Sequence, residues 1–218
     1  MTAKNLSKLT FLFCCFLSIA CIQSALDWQV MAMAEENILL ENVRANAKEL
    51  SASEKANLQQ GKVILQGQKG NYFGRILAQG KIDTAWEVIT DYNNFARFLP
   101  NIASSKIITQ KGDRVVFEQV NVVDLWLFQQ EFVVQIEAVK DKPTKVDFKI
   151  VDGDLKKLIG RWKIEEISPG KILISHAVEV EPGSNTEKPF FYGVYESSLE
   201  ETLQAIAKEV SQRSQSVE

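Results

Sequence analysis

The feature that most constrains this chain is a series of β-rich runs that ends in one long amphipathic helix. Six runs follow one another in the second half of the sequence: 103–110, 113–123, 126–139, 144–151, 157–167 and 171–181. The connectors between them contain Gly112, Pro143, Gly153 and Gly170, which are residues typical of turns. Connections this short allow antiparallel hairpins but not the crossovers that parallel strands require. We therefore expect an antiparallel meander.

The last element is predicted to be a helix over residues 189–213. Its apolar side chains recur at three- and four-residue steps and so share one face: Tyr192, Tyr195, Leu199, Leu203, Ile206 and Val210. Because a single helix must bury such a stripe, we expect it to pack on the sheet. The predicted fold class is α+β, and a sheet that curves around the helix would leave a cavity between them.

Upstream of the meander, the sequence predicts two further strands, 62–68 and 72–79, separated by a turn. Two short helices are expected next, at 84–90 with Asp83 as its cap and at 93–98. The predicted order of elements is therefore strand, two short helices, about six antiparallel strands and one long amphipathic helix.

The N-terminus has the composition of an export signal. Lys4 and Lys8 precede an apolar run at 9–22, which is about 14 residues long and short for a membrane span of about 20. A small-x-small pattern ending at Ala34 predicts cleavage there, so residues 1–34 are read as a signal peptide of an extracytoplasmic protein. Cleavage near Ala25, lipidation at Cys21 and an uncleaved membrane anchor remain alternatives.

The predicted mature chain has three parts. Residues 35–60 form a lead-in with a short helix at 52–60, which begins at a capping-box pattern of Ser51 and Glu54. Residues 61–213 form one ligand-binding domain, and residues 214–218 form a disordered tail.

Composition excludes several classes of function. A net charge of −3 argues against a nucleic-acid partner, which usually selects a basic protein. All three cysteines lie within the first 21 residues and the chain has one histidine, which rules out a His-rich metal site and a Cys–His nucleophile in the mature protein. We predict no metal, no cofactor and no catalytic residue, and a monomer.

Sorting the strands by their two-residue period separates an apolar face from a solvated one. Within 126–139 the even positions are mostly aromatic or aliphatic and the odd positions carry Gln and Glu. The apolar face is either plain core or the wall of a ligand pocket, whose aromatic members would be Trp126, Phe128, Phe132, Phe148 and Trp162. Gln130 and His176 interrupt this face, as satisfied core groups or as ligand contacts.

Two segments carry a resemblance to a known family. Residues 85–100 read AWEVITDYNNFARFLP and residues 153–162 read GDLKKLIGRW. Together with the terminal helix they resemble START-type polyketide cyclase/dehydrase and coenzyme-Q-binding proteins of the Bet v 1-like superfamily, over about residues 61–212. The resemblance implies a helix-grip fold, with a curved antiparallel sheet of about seven strands around the long C-terminal helix and a lipid- or quinone-sized cavity.

The first functional hypothesis is non-catalytic binding or transport of an apolar small molecule, such as an isoprenoid quinone, a lipid or a pigment, with transient membrane contact. Its entrance is expected between the loop from Phe95 to Pro100, which includes Phe98, and the start of the terminal helix near Phe190 and Phe191. The alternatives are an aromatase/cyclase-like enzyme on a polyketide-type substrate and a protein-interaction module with a filled core.

Overall fold

A computed structural model describes residues 50–125, 128–184 and 187–216, without the side chains at 124, 125, 128 and 129. The helices are α1 (Ala52–Gln59), α2 (Ile82–Ile89), a 3-10 turn (Tyr92–Asn94), α3 (Phe95–Phe98) and α4 (Lys188–Gln215). The strands are β1 (Ile64–Gln68), β2 (Asn71–Gln79), β3 (Ile102–Lys111), β4 (Arg114–Leu125), β5 (Phe128–Asp141), β6 (Lys145–Gly153), β7 (Leu155–Ser168) and β8 (Lys171–Pro182).

The strands form one open antiparallel sheet in the order β1-β2-β8-β7-β6-β5-β4-β3. Strands β3 to β8 lie beside one another in the order of the chain, which confirms the predicted meander. On its other side β8 pairs with β2, so the β1–β2 hairpin lies at one edge of the sheet. The sheet has eight strands, one more than the resemblance implies, because β1 folds back on β2 through a turn at Lys69 and Gly70. The two short helices accordingly follow β2.

The short helices differ from the sequence prediction at their ends. Helix α1 begins with the predicted capping box, in which the Ser51 hydroxyl accepts from the Glu54 amide and the Glu54 carboxylate accepts from the Ser51 amide. Helix α2 begins after Lys81, so Asp83 lies in its first turn and is not its cap.

Among the described helices, none combines the length and the apolar character needed to cross a bilayer.

Helix α4 packs its apolar stripe on the inner face of the sheet, as predicted. Leu199, Leu203, Ile206 and Val210 are buried. The helix approaches β2 closely at Gly74, where an added Cβ would lie 2.4 Å from Leu203 Cδ1. A glycine in β2 therefore sets how near the helix lies to this strand.

The outer face of the sheet carries the predicted charged side chains, and the basic residues of β7 are paired. Lys156, Lys157, Arg161 and Lys163 each form an ion pair with a carboxylate, of Glu181, Glu179, Asp147 and Glu165 respectively. One part of this face is not solvated as expected. On β2 and β8 the outward residues Phe73, Arg75, Ser175 and Ala177 are buried. Helix α1 reaches this side of the sheet, where Gln66 of β1 donates to Glu54.

Candidate functional site

A cavity of about 240 Å³ lies between the inner face of the sheet and helix α4. Strands β3 to β8 line one side, and the segment from Ile89 to Ile102 together with one face of α4 lines the other. The wall forms because each strand turns alternate side chains inward, while the helical stripe covers them from above.

Most of the predicted site residues meet in this cavity. Its wall includes seven of them: Phe95, Gln130, Phe132, Phe148, Trp162, His176 and Phe191. Phe98 does not line it, because its ring packs against Phe95 and lies 5.4 Å from the Arg213 guanidinium. Trp126 and the side chain of Phe128 lie outside the described residues. Ligand binding by any of these residues stays a prediction.

His176 lies in an aromatic stack at the sheet end of the cavity. It is the cross-strand partner of Trp162, and their ring centroids are 3.7 Å apart. The Phe148 ring is nearly parallel to the imidazole, with centroids 5.5 Å apart. Phe148 reaches His176 across Gly160, where an added Cβ would lie 2.3 Å from Phe148 Cζ. The absence of a side chain at residue 160 therefore makes this stack possible.

The imidazole of His176 is buried and electrically neutral. Burial lowers the pKa of His176 to about 3, because the charged form would lose its hydration. Its Nδ1 has no hydrogen-bond partner within the described part of the chain. His176 therefore holds a neutral, unpaired polar atom behind an aromatic region of the wall.

Tyr92 is a second polar group in the wall, and the sequence analysis did not single it out. Its ring stacks on Phe117 of β4 with centroids 4.4 Å apart, and Ser105 Oγ donates to its carbonyl oxygen at 2.5 Å. Burial raises the pKa of Tyr92, which keeps the phenol protonated. Among the described residues, its hydroxyl has no hydrogen-bond partner.

Three carboxamides form a further polar region on β4 and β5. Gln119 and Asn121 are inward neighbours on β4, and Gln130 lies on β5 opposite Val123. Sequence analysis found only Gln130, although sorting residues 113–123 by the same two-residue period would also have placed Gln119 and Asn121 inward. All three are half-buried, so they can bond water or a ligand.

The lining also includes an exposed residue at each side of an opening. Leu99, Pro100 and Asn101 form one side, and Phe190 at the start of α4 forms the other. Use of this opening as the entrance stays a prediction. Asn101 adopts a left-handed conformation with φ 61° and donates through Nδ2 to Glu201 of α4 at 3.4 Å. This bond connects the loop to α4.

The described wall of the cavity is uncharged. Among the described residues that line the cavity, none is Asp, Glu, Lys or Arg. No three His, Cys, Asp or Glu side chains come together as a metal-ligand set in the described ranges. The groups present can supply aromatic contacts and neutral hydrogen bonds.

A family model described as polyketide cyclase/dehydrase and lipid transport matches residues 79–207, which is more than half of the chain. No curated protein matches the sequence. The match begins at the end of β2 and includes both segments that carry the resemblance described above.

Solved structures with the same architecture share little sequence with the chain. The Zhui aromatase/cyclase from a Streptomyces species aligns with a TM-score of 0.55 at 12% identity, over 69% of this chain and 95% of that chain. A STAR-related lipid transfer protein from Xanthomonas axonopodis aligns with a TM-score of 0.56 at 14% identity, over 68% and 92%. At such identities the likeness establishes the fold alone, and it confirms the predicted helix-grip class.

Proposed function

The chain belongs to the polyketide cyclase/dehydrase and lipid transport family, and from this premise we propose that it is a non-catalytic carrier of an apolar small molecule, such as an isoprenoid quinone, a lipid or a pigment. The cavity between the sheet and α4 is the observation that carries the proposal. Its apolar wall, few polar groups and single helical cover are typical of small-molecule sites.

The volume of the cavity limits what it can enclose. An apolar cavity of roughly 150 Å³ holds benzene, so about 240 Å³ admits a larger ring system. We expect roughly ten heavy atoms inside, by proportion to benzene. A longer chain attached to that ring would extend through the opening beside Phe190.

The enzyme alternative is less well supported by the chemistry of His176. A general acid or base works best with a pKa near the working pH, whereas the pKa of His176 is lowered to about 3. At neutral pH this imidazole lacks the second ring proton that a general acid would donate, and it is a weak base. The alternative of a protein-interaction module with a filled core is disfavoured by the cavity itself.

Transient membrane contact belongs to the same proposal. Phe190 is 51% exposed at the opening, where an aromatic ring can insert among lipid chains while the ligand passes.

Export through cleavage after Ala34 is also proposed, and N-terminal sequencing of the protein from its own host tests it.

Extraction and mass spectrometry of protein purified from its own host test the carrier function. We expect a lipophile bound in near-stoichiometric amount, and Val123→Trp, which adds an indole inside the cavity, should remove it. Val139→Trp is the matched control, because Val139 lies on β5 but is exposed on the outer face. Equal occupancy in both variants would place the ligand elsewhere and overturn the proposal.

His176→Ala separates the carrier from the cyclase alternative. A carrier still binds its ligand after this change, with affinity reduced by at most about tenfold, because most of the contact area comes from the aromatic and aliphatic wall. Loss of turnover on a polyketide-type substrate, in a variant that still binds, would support the enzyme.

A further inference from the structure

Two polar atoms in the cavity wall are buried without a partner: the hydroxyl of Tyr92 and Nδ1 of His176. Both residues are only 4% exposed, and both line the cavity. They come from different layers, since Tyr92 lies in the 3-10 turn and His176 on β8. The cavity is therefore flanked by one hydrogen-bonding group from the helical side and one from the sheet.

Such groups are rarely left unpaired in native proteins. A buried donor or acceptor without a partner costs roughly 1–3 kcal/mol, and most of these groups bond to protein, water or ligand. The rest of the wall around them is aromatic: Phe117 stacks on Tyr92, and Phe148 and Trp162 stack on His176. As placed, neither atom is reachable by water, so either ring must rotate slightly before its polar atom can meet the contents of the cavity, which are the remaining source of partners.

The charge of the wall restricts the ligand further. An ionised group needs a counter-charge or several hydrogen bonds when it leaves water. The described lining offers no Lys or Arg for an anion and no Asp or Glu for a cation. A molecule that enters with its polar group first is therefore uncharged.

We infer that the cavity recognises an uncharged ring compound carrying a hydroxyl or carbonyl oxygen, with Tyr92 and His176 as its hydrogen-bonding residues. The inference rests on the proposed carrier function and names the ligand class for that site. The aromatic wall stacks on the ring, and the oxygen pairs with one or both of the buried polar atoms.

Three matched bicyclic probes test this with the purified full chain by isothermal titration at pH 7. Naphthalene has no polar group, 2-naphthol adds an uncharged hydroxyl, and 2-naphthoate adds a charge. We expect 2-naphthol to bind about tenfold more tightly than naphthalene, the value of one well-formed buried hydrogen bond. 2-Naphthoate should bind most weakly of the three.

Tyr92→Phe and His176→Phe assign the preference to these residues. Either change keeps an aromatic ring in place, so naphthalene should bind as before, and at least one of the two changes should lower the preference for 2-naphthol to about twofold or less. Tyr72→Phe is the matched control, because it removes a tyrosine hydroxyl in the core that bonds to the Tyr192 carbonyl outside the cavity. Circular dichroism verifies folding, and His176→Met replaces His176→Phe if the latter does not fold.

The outcomes are distinguishable. A 2-naphthol preference that persists in both variants overturns the role of Tyr92 and His176. Tightest binding of 2-naphthoate overturns the uncharged class while leaving the carrier function intact. No binding of any probe by the folded protein overturns the carrier function and the inference together.

Discussion

Asp91 and Arg213 form an ion pair, with 2.9 Å between Oδ2 and Nη2, that joins the end of α2 to the last turns of α4. Arg213 also bonds to Glu209, and its guanidinium lies over the Phe98 ring. Asp91 accepts a second hydrogen bond, from Asn94. Asp91, which belongs to the segment at 85–100, thus contacts the terminal helix beside the Phe98 ring.

We expect Asp91→Asn and Arg213→Met each to lower the free energy of unfolding, with a coupling of about 1 kcal/mol between them, because the pair is largely shielded from solvent. A double-mutant cycle by urea unfolding measures the coupling. The exposed pair of Lys163 and Glu165 is the control, with an expected coupling below about 0.5 kcal/mol. Equal couplings for the two pairs would contradict the role assigned to Asp91.

Stability should fall in acid because of His176. Its pKa is lowered to about 3 in the folded chain from an ordinary value of 6.5. Between these two pH values the unfolded chain binds a proton that the native chain does not, so the free energy of unfolding decreases as the pH falls. The expected loss is about 1.4 kcal/mol per pH unit, complete near pH 3.

The matched variant for this test is His176→Phe, which keeps a ring in the stack and cannot titrate. Subtracting its unfolding free energy from that of the wild type cancels the contribution of the carboxylates, which both proteins share. Urea unfolding at pH 7, 6, 5 and 4 measures the difference in unfolding free energy between wild type and variant. Below about pH 6.5 this difference should change by about 1.4 kcal/mol per pH unit. A difference independent of pH would mean that His176 is hydrated.

Gly160→Ala should destabilise the fold by about 2 kcal/mol, the usual range for overpacking a core. The new Cβ would lie 2.3 Å from Phe148 Cζ and 2.5 Å from the Ala177 carbonyl oxygen. The backbone oxygen cannot turn away as a side chain can. Thermal and urea unfolding measure the loss.

Gly193→Ala is the control for that substitution. Gly193 lies in α4 with no atom within 4 Å of an added Cβ, and we expect alanine there to raise stability by up to about 1 kcal/mol. If Gly160→Ala and Gly193→Ala changed stability in the same direction, the close approach of Phe148 to β7 would be refuted.

Phe190→Ser should slow ligand uptake from membranes several-fold without changing stability by more than about 0.5 kcal/mol, the usual limit for surface substitutions. Stopped-flow fluorescence of 2-naphthol uptake from phosphatidylcholine vesicles measures the rate. Ile167→Ser is the matched control, because Ile167 is 53% exposed but lies at the end of β7 remote from Leu155, which lines the cavity. Equal uptake rates in the two variants would contradict a role for Phe190 in ligand entry.

Much of the fold was predictable because it rests on local periodicity. The three- and four-residue spacing from Leu199 to Val210 identified the helical face that packs on the sheet, and the capping box at Ser51 marked the start of α1. The cap of α2 was predicted wrongly, since Asp83 has the right residue type for a cap but lies two positions inside the helix boundary. Residue preference alone does not locate a helix end to within one turn.

The sequence by itself determined which side chains face inward, because strand alternation and helical spacing are properties of the backbone. Only the tertiary structure decided which inward residues meet. It placed Tyr92 and His176 around one cavity and turned Phe98 toward Arg213 instead. It also showed that Gly160 makes room for Phe148 beside His176. These relationships depend on strand register and on how closely α4 approaches the sheet, and both arise from packing between segments far apart in the chain.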